Sequence, residues 1–198
     1  MKKTICLIVF FIIYTALIIS CPLITSWDKS IIMQVQALFK DLPLIIPTLP
    51  DCILYSIMIA IPIIGLGICF IKNKRWFDFA FIFLIPLITY LLNCLMKPIV
   101  HRSRPPFELQ IGSIHPDSFS YVSSHSLVTF CLWAMVIYYA YKGKWRGKEL
   151  ICAISILWIL FVGFSRVWLG VHNPTDVIGA YILGFILISL FVNLKERL

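Results

Sequence analysis

The sequence predicts an all-α protein: a six-transmembrane-helix bundle, with an interfacial amphipathic helix between the first and second spans. Three observations carry this. The 198 residues are 61% hydrophobic and only 13% charged, with mean hydropathy +0.96, whereas a soluble domain carries about 25% charged residues. Six apolar runs, each bounded by charges or proline, approach the length of about 20 residues that a spanning helix needs. The basic residues gather at the ends of those runs and are distributed unequally between the two sides.

The runs are Thr4–Cys21, Ile53–Ile71, Trp76–Met96, Leu127–Tyr141, Leu150–Phe164 and Val177–Leu194. Together they suit a single domain over residues 1–198. The first resembles a signal peptide, with Met1-Lys2-Lys3 ahead of it and Ser20-Cys21 at its end. Its apolar stretch exceeds the usual length of about 7–15 residues, and Ile18 and Ile19 are bulky where small residues are wanted. It therefore reads as an uncleaved helix, with cleavage before Cys21 the lesser alternative.

Between the first two runs, Ile31, Ile32, Val35, Leu38, Phe39 and Leu42 recur at helical spacing, with Asp28, Lys29, Gln34, Gln36, Lys40 and Asp41 between them. This is the pattern of a helix lying in the interface. Ser26 or Ser30 would start it and Pro43 would end it. It serves either as a packing lid or as a route that admits substrate.

Counting lysine and arginine gives the orientation. Lys2, Lys3, Lys72, Lys74, Arg75, Lys142, Lys144, Arg146, Lys148, Lys195 and Arg197 fall on one side of a six-span chain; Lys29, Lys40, Lys97, Arg102, Arg104 and Arg166 fall on the other. The positive-inside rule makes the first side cytoplasmic. Both termini are then inside a plasma membrane, the inner one in a bacterium. The four histidines, His101, His115, His125 and His172, all face outward. The net charge of +8 reflects topology and anionic membrane lipids, so nucleic acid is not expected as a partner. The seven cysteines are scattered, with no C-x-x-C, which predicts small buried hydrophobes rather than a disulfide or zinc framework.

Three polar stretches fall on the outer side: KPIVHRSRPPFE at 97–108, YVSSHS at 121–126 and SRVWLGVHNPTD at 165–176. Guanidinium groups fork onto phosphate oxygens and lysine adds a point charge, which casts Lys97, Arg104 and Arg166 as anion ligands, with Arg102 a spare cation. Ser123, Ser124 and His125 precede an apolar helix, whose start offers hydroxyls and free N–H groups to an anion. Asn173 suits a helix cap and Pro174 a first turn, so His172 sits just outside a helix and Asp176 in its first turn. A carboxylate there can fix the imidazole tautomer and leave the other nitrogen as nucleophile. His125, from another helix start, can serve as general acid. Neither a metal nor a cofactor is called for.

These stretches carry a resemblance. Lys97 to Arg104-Pro105 matches K-x6-R-P, VSSH at 122–125 resembles P-S-G-H, and Ser165-Arg166 to His172 and Asp176 matches S-R-x5-H-x3-D. The chain resembles the type 2 phosphatidic acid phosphatase family, membrane lipid phosphatases with a site similar to that of vanadium haloperoxidases. The resemblance implies metal-independent dephosphorylation through a phosphohistidine. His172 would be the nucleophile, Asp176 its orienting partner and His125 the acid; Lys97, Arg104, Ser123 and Arg166 would bind phosphate. Ser124 stands where the family has glycine. Glycine allows close backbone approach and positive φ, so Ser124 joins the phosphate ligands only if its backbone is ordinary.

Hydrolysis of a terminal lipid phosphate is therefore the expected activity, with undecaprenyl diphosphate the first choice of substrate. Phosphatidylglycerol phosphate, phosphatidic acid, lipid A phosphate and a lipid phosphotransferase reaction are the alternatives. A non-enzymatic transporter or binder of lipid phosphate is the competing class. Transporters place polar groups near the midplane on broken helices, whereas here they lie at helix ends. The sequence leaves the oligomeric state open.

Overall fold

The computed structural model describes residues 2–51, 53–111 and 116–197, the side chains at 2, 3, 53 and 54 excepted, and every element among them is helical. His115, one of the four histidines read as outward, and Cys52 lie outside the described residues. Helix α1 spans Lys2–Ser20 and meets α2, Pro22–Leu38, at a bend of 85°. A single helical turn, α3 (Ile45–Thr48), and a 3₁₀ turn (Leu49–Asp51) lead to α4, Ile53–Lys72. Then come α5 (Trp76–Val100), a 3₁₀ turn at Phe107–Leu109, α6 (Ser124–Lys142), α7 (Lys148–Trp168) and α8 (Pro174–Lys195).

The bundle is built around α6, which packs against α4, α5, α7 and α8. Its Leu127, Leu132, Met135 and Tyr139 are almost wholly buried. The outer helices keep apolar faces exposed: Ile57, Ile61, Ile64 and Ile68 on α4, and Leu84, Leu87, Leu91 and Leu95 on α5. Exposed apolar stripes of that length need lipid against them.

Four helices, α4, α5, α7 and α8, are each long and apolar enough to cross a membrane, and the bent pair α1–α2 would make a fifth. Length and apolarity thus identify four or five spans rather than six. Helix α6 falls short because its neighbours shield it from lipid, so its face can carry Ser126, Thr129 and Tyr139 without facing hydrocarbon.

Several boundaries differ from the sequence reading, most of them by the helix running further. Helix α5 continues past Met96 to Val100 and carries Lys97 in its last turn; α7 continues past Phe164 to Trp168 and carries Arg166 likewise. Cations suit helix C-termini, where the peptide dipole is negative. Helix α2 starts at Pro22, ahead of Ser26 and Ser30, because proline's fixed φ suits a first helical turn. Ser30 instead accepts from Gln34 Nε2 at 3.2 Å, and the helix ends at Leu38, well before Pro43.

At the end of the bundle away from the polar stretches, buried Asp78 accepts from Arg75 Nε at 2.7 Å, from the Tyr139 hydroxyl and from the Lys195 ammonium. That carboxylate ties α5, α6 and α8 together. None of the six described cysteines is in a disulfide.

Candidate active site

All three polar stretches meet at the opposite end, beneath α2. The loop from α7 to α8 is only Leu169–Asn173, and Gly170 sets its path with φ of +68°. A Cβ at Gly170 would lie 2.0 Å from the Leu109 carbonyl oxygen, and Ile111 N–H donates to Leu169 O at 3.1 Å alongside. Gly170→Ala should therefore cost about 1–3 kcal/mol through backbone strain and displace His172 two residues on. Melting in detergent and kcat, measured together, check this: both should fall.

His172 is 4% exposed. Its Nδ1 lies 3.8 Å from Asp176 Oδ2, too far for a direct hydrogen bond. Ser120 fills the gap, with its hydroxyl 3.4 Å from Nδ1 and donating to Asp176 Oδ2. Since that hydroxyl hydrogen goes to the carboxylate, the Ser120 oxygen is the acceptor for an Nδ1–H. The network thus assigns the tautomer with Nε2 unprotonated. The sequence reading placed imidazole directly on carboxylate; a serine bridges them instead. Burial pushes His172 down from its ordinary value to about 4, with Asp176 pulling upward and the Arg104 charge pushing further down. The ring is therefore neutral near pH 7.

Asp176 is fully buried and held from two other directions. Asn173 N–H donates to Oδ2 at 2.8 Å, fixing the start of α8 as the Asn-Pro pair predicts. Arg102 Nη1 donates to Oδ1 at 2.5 Å, and Arg102 Nη2 to Asp28 Oδ2, also at 2.5 Å. Asp28 in turn accepts from Thr175 N–H (3.1 Å) and from the Thr175 hydroxyl (2.7 Å). Arg102, read from sequence as spare, is the cation between two buried carboxylates. Its sequence neighbour in the motif, Arg104, faces the imidazole: Arg104 Nη1 is 3.4 Å from His172 Nε2 and donates to Val171 O.

Ser118 gathers the first motif. Lys97 Nζ donates to its hydroxyl at 3.0 Å, Arg104 Nη2 to the same oxygen at 3.2 Å and Arg104 Nε to its carbonyl at 2.7 Å. Lys97, Ser118 and Ser124 share the lining of a cavity of about 410 Å³ with Tyr90 and Phe119. Ser124 is the first residue of α6, with no positive φ, so a serine fits there without strain. Ser123 occupies the cap position, but its hydroxyl accepts from Ser126 Oγ (3.0 Å) rather than capping a backbone amide, because Ser126 comes within reach one turn on.

Arg166, from the third motif, is forked onto Asp51, with Nη1–Oδ1 at 2.5 Å and Nη2–Oδ2 at 3.1 Å. His125 Nε2 lies 3.8 Å from the same Asp51 Oδ1. The structure thus brings together all eight residues singled out in sequence, and it adds Asp28, Asp51, Arg102, Ser118 and Ser120. Only Arg102 had a sequence signal, two residues from Arg104.

A helical bundle with long apolar faces, and a cationic cluster around a neutral buried imidazole at one end, define an integral membrane enzyme of the phosphatase class. The chain belongs to the PAP2 superfamily, whose family model matches residues 77–198, and it is a hydrolase of the lipid-phosphatase class. It is 34% identical over 141 residues to phosphatidylglycerophosphatase B of Bacillus subtilis, covering 70% of this chain and 67% of that protein. It is 27% identical over 130 residues to lipid phosphate phosphatase delta of Arabidopsis thaliana, covering 58% and 30% respectively. A crystal structure of a transmembrane PAP2-type phosphatidylglycerolphosphate phosphatase from Bacillus subtilis superposes with a TM-score of 0.78, at 29% identity, over 100% of this chain and 98% of that one.

Proposed function

We propose that this protein hydrolyses the terminal phosphate of phosphatidylglycerol phosphate through a phosphohistidine on His172. The observation that carries the chemistry is the buried chain from His172 through Ser120 and Asp176 to Arg102. It supports an imidazole whose Nε2 lone pair faces the donors that would hold a phosphate. In the first step Nε2 attacks phosphorus, the P–O bond to the lipid breaks, and His125 gives its proton to the departing oxygen. Lys97, Arg104, Arg166 and the start of α6 at Ser123 and Ser124 bind the phosphoryl oxygens and steady the developing charge. In the second step water, deprotonated by His125, attacks the phosphohistidine, and His172 leaves as a neutral base. No step needs a metal.

The sequence alone put undecaprenyl diphosphate first. The Bacillus relatives favour phosphatidylglycerol phosphate, one of its alternatives. Both lipids, phosphatidic acid and lipid A phosphate are to be assayed at equal detergent mole fraction, with a strong chelator present. The proposal expects the highest kcat/KM for phosphatidylglycerol phosphate, by about tenfold or 1.4 kcal/mol in transition-state binding. Faster turnover of undecaprenyl diphosphate would return the first choice, and no phosphate release from any lipid would sink the enzyme reading.

The same reading takes α1, α4, α5, α6, α7 and α8 as six spans of one domain, with α2 along the outer interface. Both termini are then cytoplasmic and the site faces outward. The 85° bend at Cys21 supports the placement of α2, and the excess of lysine and arginine at the other end supports the orientation.

A further inference from the structure

Asp51 is a carboxylate set among the cations that are to bind an anion. A negative charge there opposes phosphate binding, so substrate affinity does not account for it. Its side chain, 14% exposed, forks onto Arg166 and comes within 3.8 Å of His125 Nε2. Tyr55, one turn along α4, holds the same histidine from the same side. Its hydroxyl donates to His125 O at 3.2 Å, and its ring lies 4.7 Å from the imidazole centroid. Asp51 and Tyr55 therefore meet His125 with a charge, a hydrogen bond and a ring face, while Arg166 fixes the carboxylate that supplies the charge.

We propose that Asp51 is a positioning residue of the reaction: it aligns the His125 ring for proton donation and supplies a counter-charge while that ring carries the proton. The site then holds two carboxylate–imidazole pairs with opposite tasks. Asp176 acts through Ser120 to fix the His172 tautomer with Nε2 unprotonated, while burial keeps that ring neutral; Asp51 faces His125 and favours its protonated form. In the first step the proton on His125 passes to the lipid oxygen as the P–O bond breaks. In the second, His125 recovers a proton from the attacking water. Asp51 stays ionised throughout and touches no reacting atom. Arg166 is forked onto the carboxylate that lies beside His125 Nε2, so Asp51 offsets that cation where the proton is carried.

This rests on His125 being the acid, and leaving-group dependence separates the two claims. An alkyl lipid phosphate needs a proton on its departing oxygen; a 4-nitrophenyl phosphate ester of matched chain does not. His125→Ala should lose about 10²–10⁴-fold in kcat on the alkyl substrate and far less on the aryl ester. Equal losses would overturn the acid assignment itself. Asp51→Asn should lose about 10-fold or more in kcat on the alkyl substrate, with KM not raised, and under about threefold on the aryl ester. Asp51→Glu should restore most of the alkyl activity. If His125→Ala discriminates between the esters while Asp51→Asn leaves both rates unchanged or lowers both equally, the role of Asp51 is overturned. Aryl turnover also reports that the variant is folded.

Discussion

Alanine at position 172 should remove turnover, by on the order of 10⁴-fold or more in kcat, without removing substrate binding. In the proposed first step the His172 imidazole is the group that bonds to phosphorus. Burial holds it neutral down to about pH 4, so its nucleophilic form persists over the neutral range. The proposed phosphate ligands lie on other residues: Lys97 and Arg104 converge on Ser118, and Arg166 sits on Asp51. Equilibrium binding of a non-hydrolysed phosphonate analogue to His172→Ala should thus stay within a few-fold of the parent, while released phosphate becomes undetectable. Retained turnover would refute the nucleophile; lost binding alongside lost turnover would mean the substitution disrupts the site.

The second large effect is at Arg102. Replacing it with methionine keeps the volume but leaves Asp28 and Asp176, both wholly buried, without their shared cation. Breaking a buried ion pair from one side costs about 3–5 kcal/mol because a charge remains with nothing to meet it. Here one side chain serves two carboxylates. Arg102→Met should lower the melting temperature in detergent sharply and reduce kcat beyond what the loss of folded protein explains, since Asp176 also anchors Ser120. Lysine should not rescue it: one ammonium cannot span two carboxylates as Nη1 and Nη2 do. Asp28→Asn combined with Arg102→Met should cost less than the two separately, because they remove one interaction. Additive losses would show that Arg102 and Asp28 act independently.

The parts of the site set by local chemistry were legible in the sequence. The run from His172 to Asp176 could be placed because asparagine and proline mark a helix start and spacing then decides where the carboxylate falls. Cation placement gave the shared end of the three motifs. What stayed hidden was long-range or came from outside the motifs. Asp28 meets Thr175 from 147 residues away and Asp51 meets Arg166 from 115, and each looks in sequence like an ordinary helix-end carboxylate. Ser118 and Ser120 look like any loop serine until the structure sets them between charged groups. The helix ends were read short for a related reason. Lys97 and Arg166 break the apolar window, yet the backbone remains helical for one more turn because that turn delivers them to the site. Helix α6 reads as a less apolar run for the opposite reason, since its polar residues face other helices.

The account turns on a covalent phosphohistidine. Rapid quenching of the enzyme with lipid substrate carrying labelled terminal phosphate, followed by digestion at alkaline pH, tests it most directly. The prediction is a base-stable, acid-labile label on the peptide that contains His172, forming within the first turnover and absent from His172→Ala. Label on another residue, or full first-turnover phosphate release with no label on the enzyme at any quench time, would contradict it.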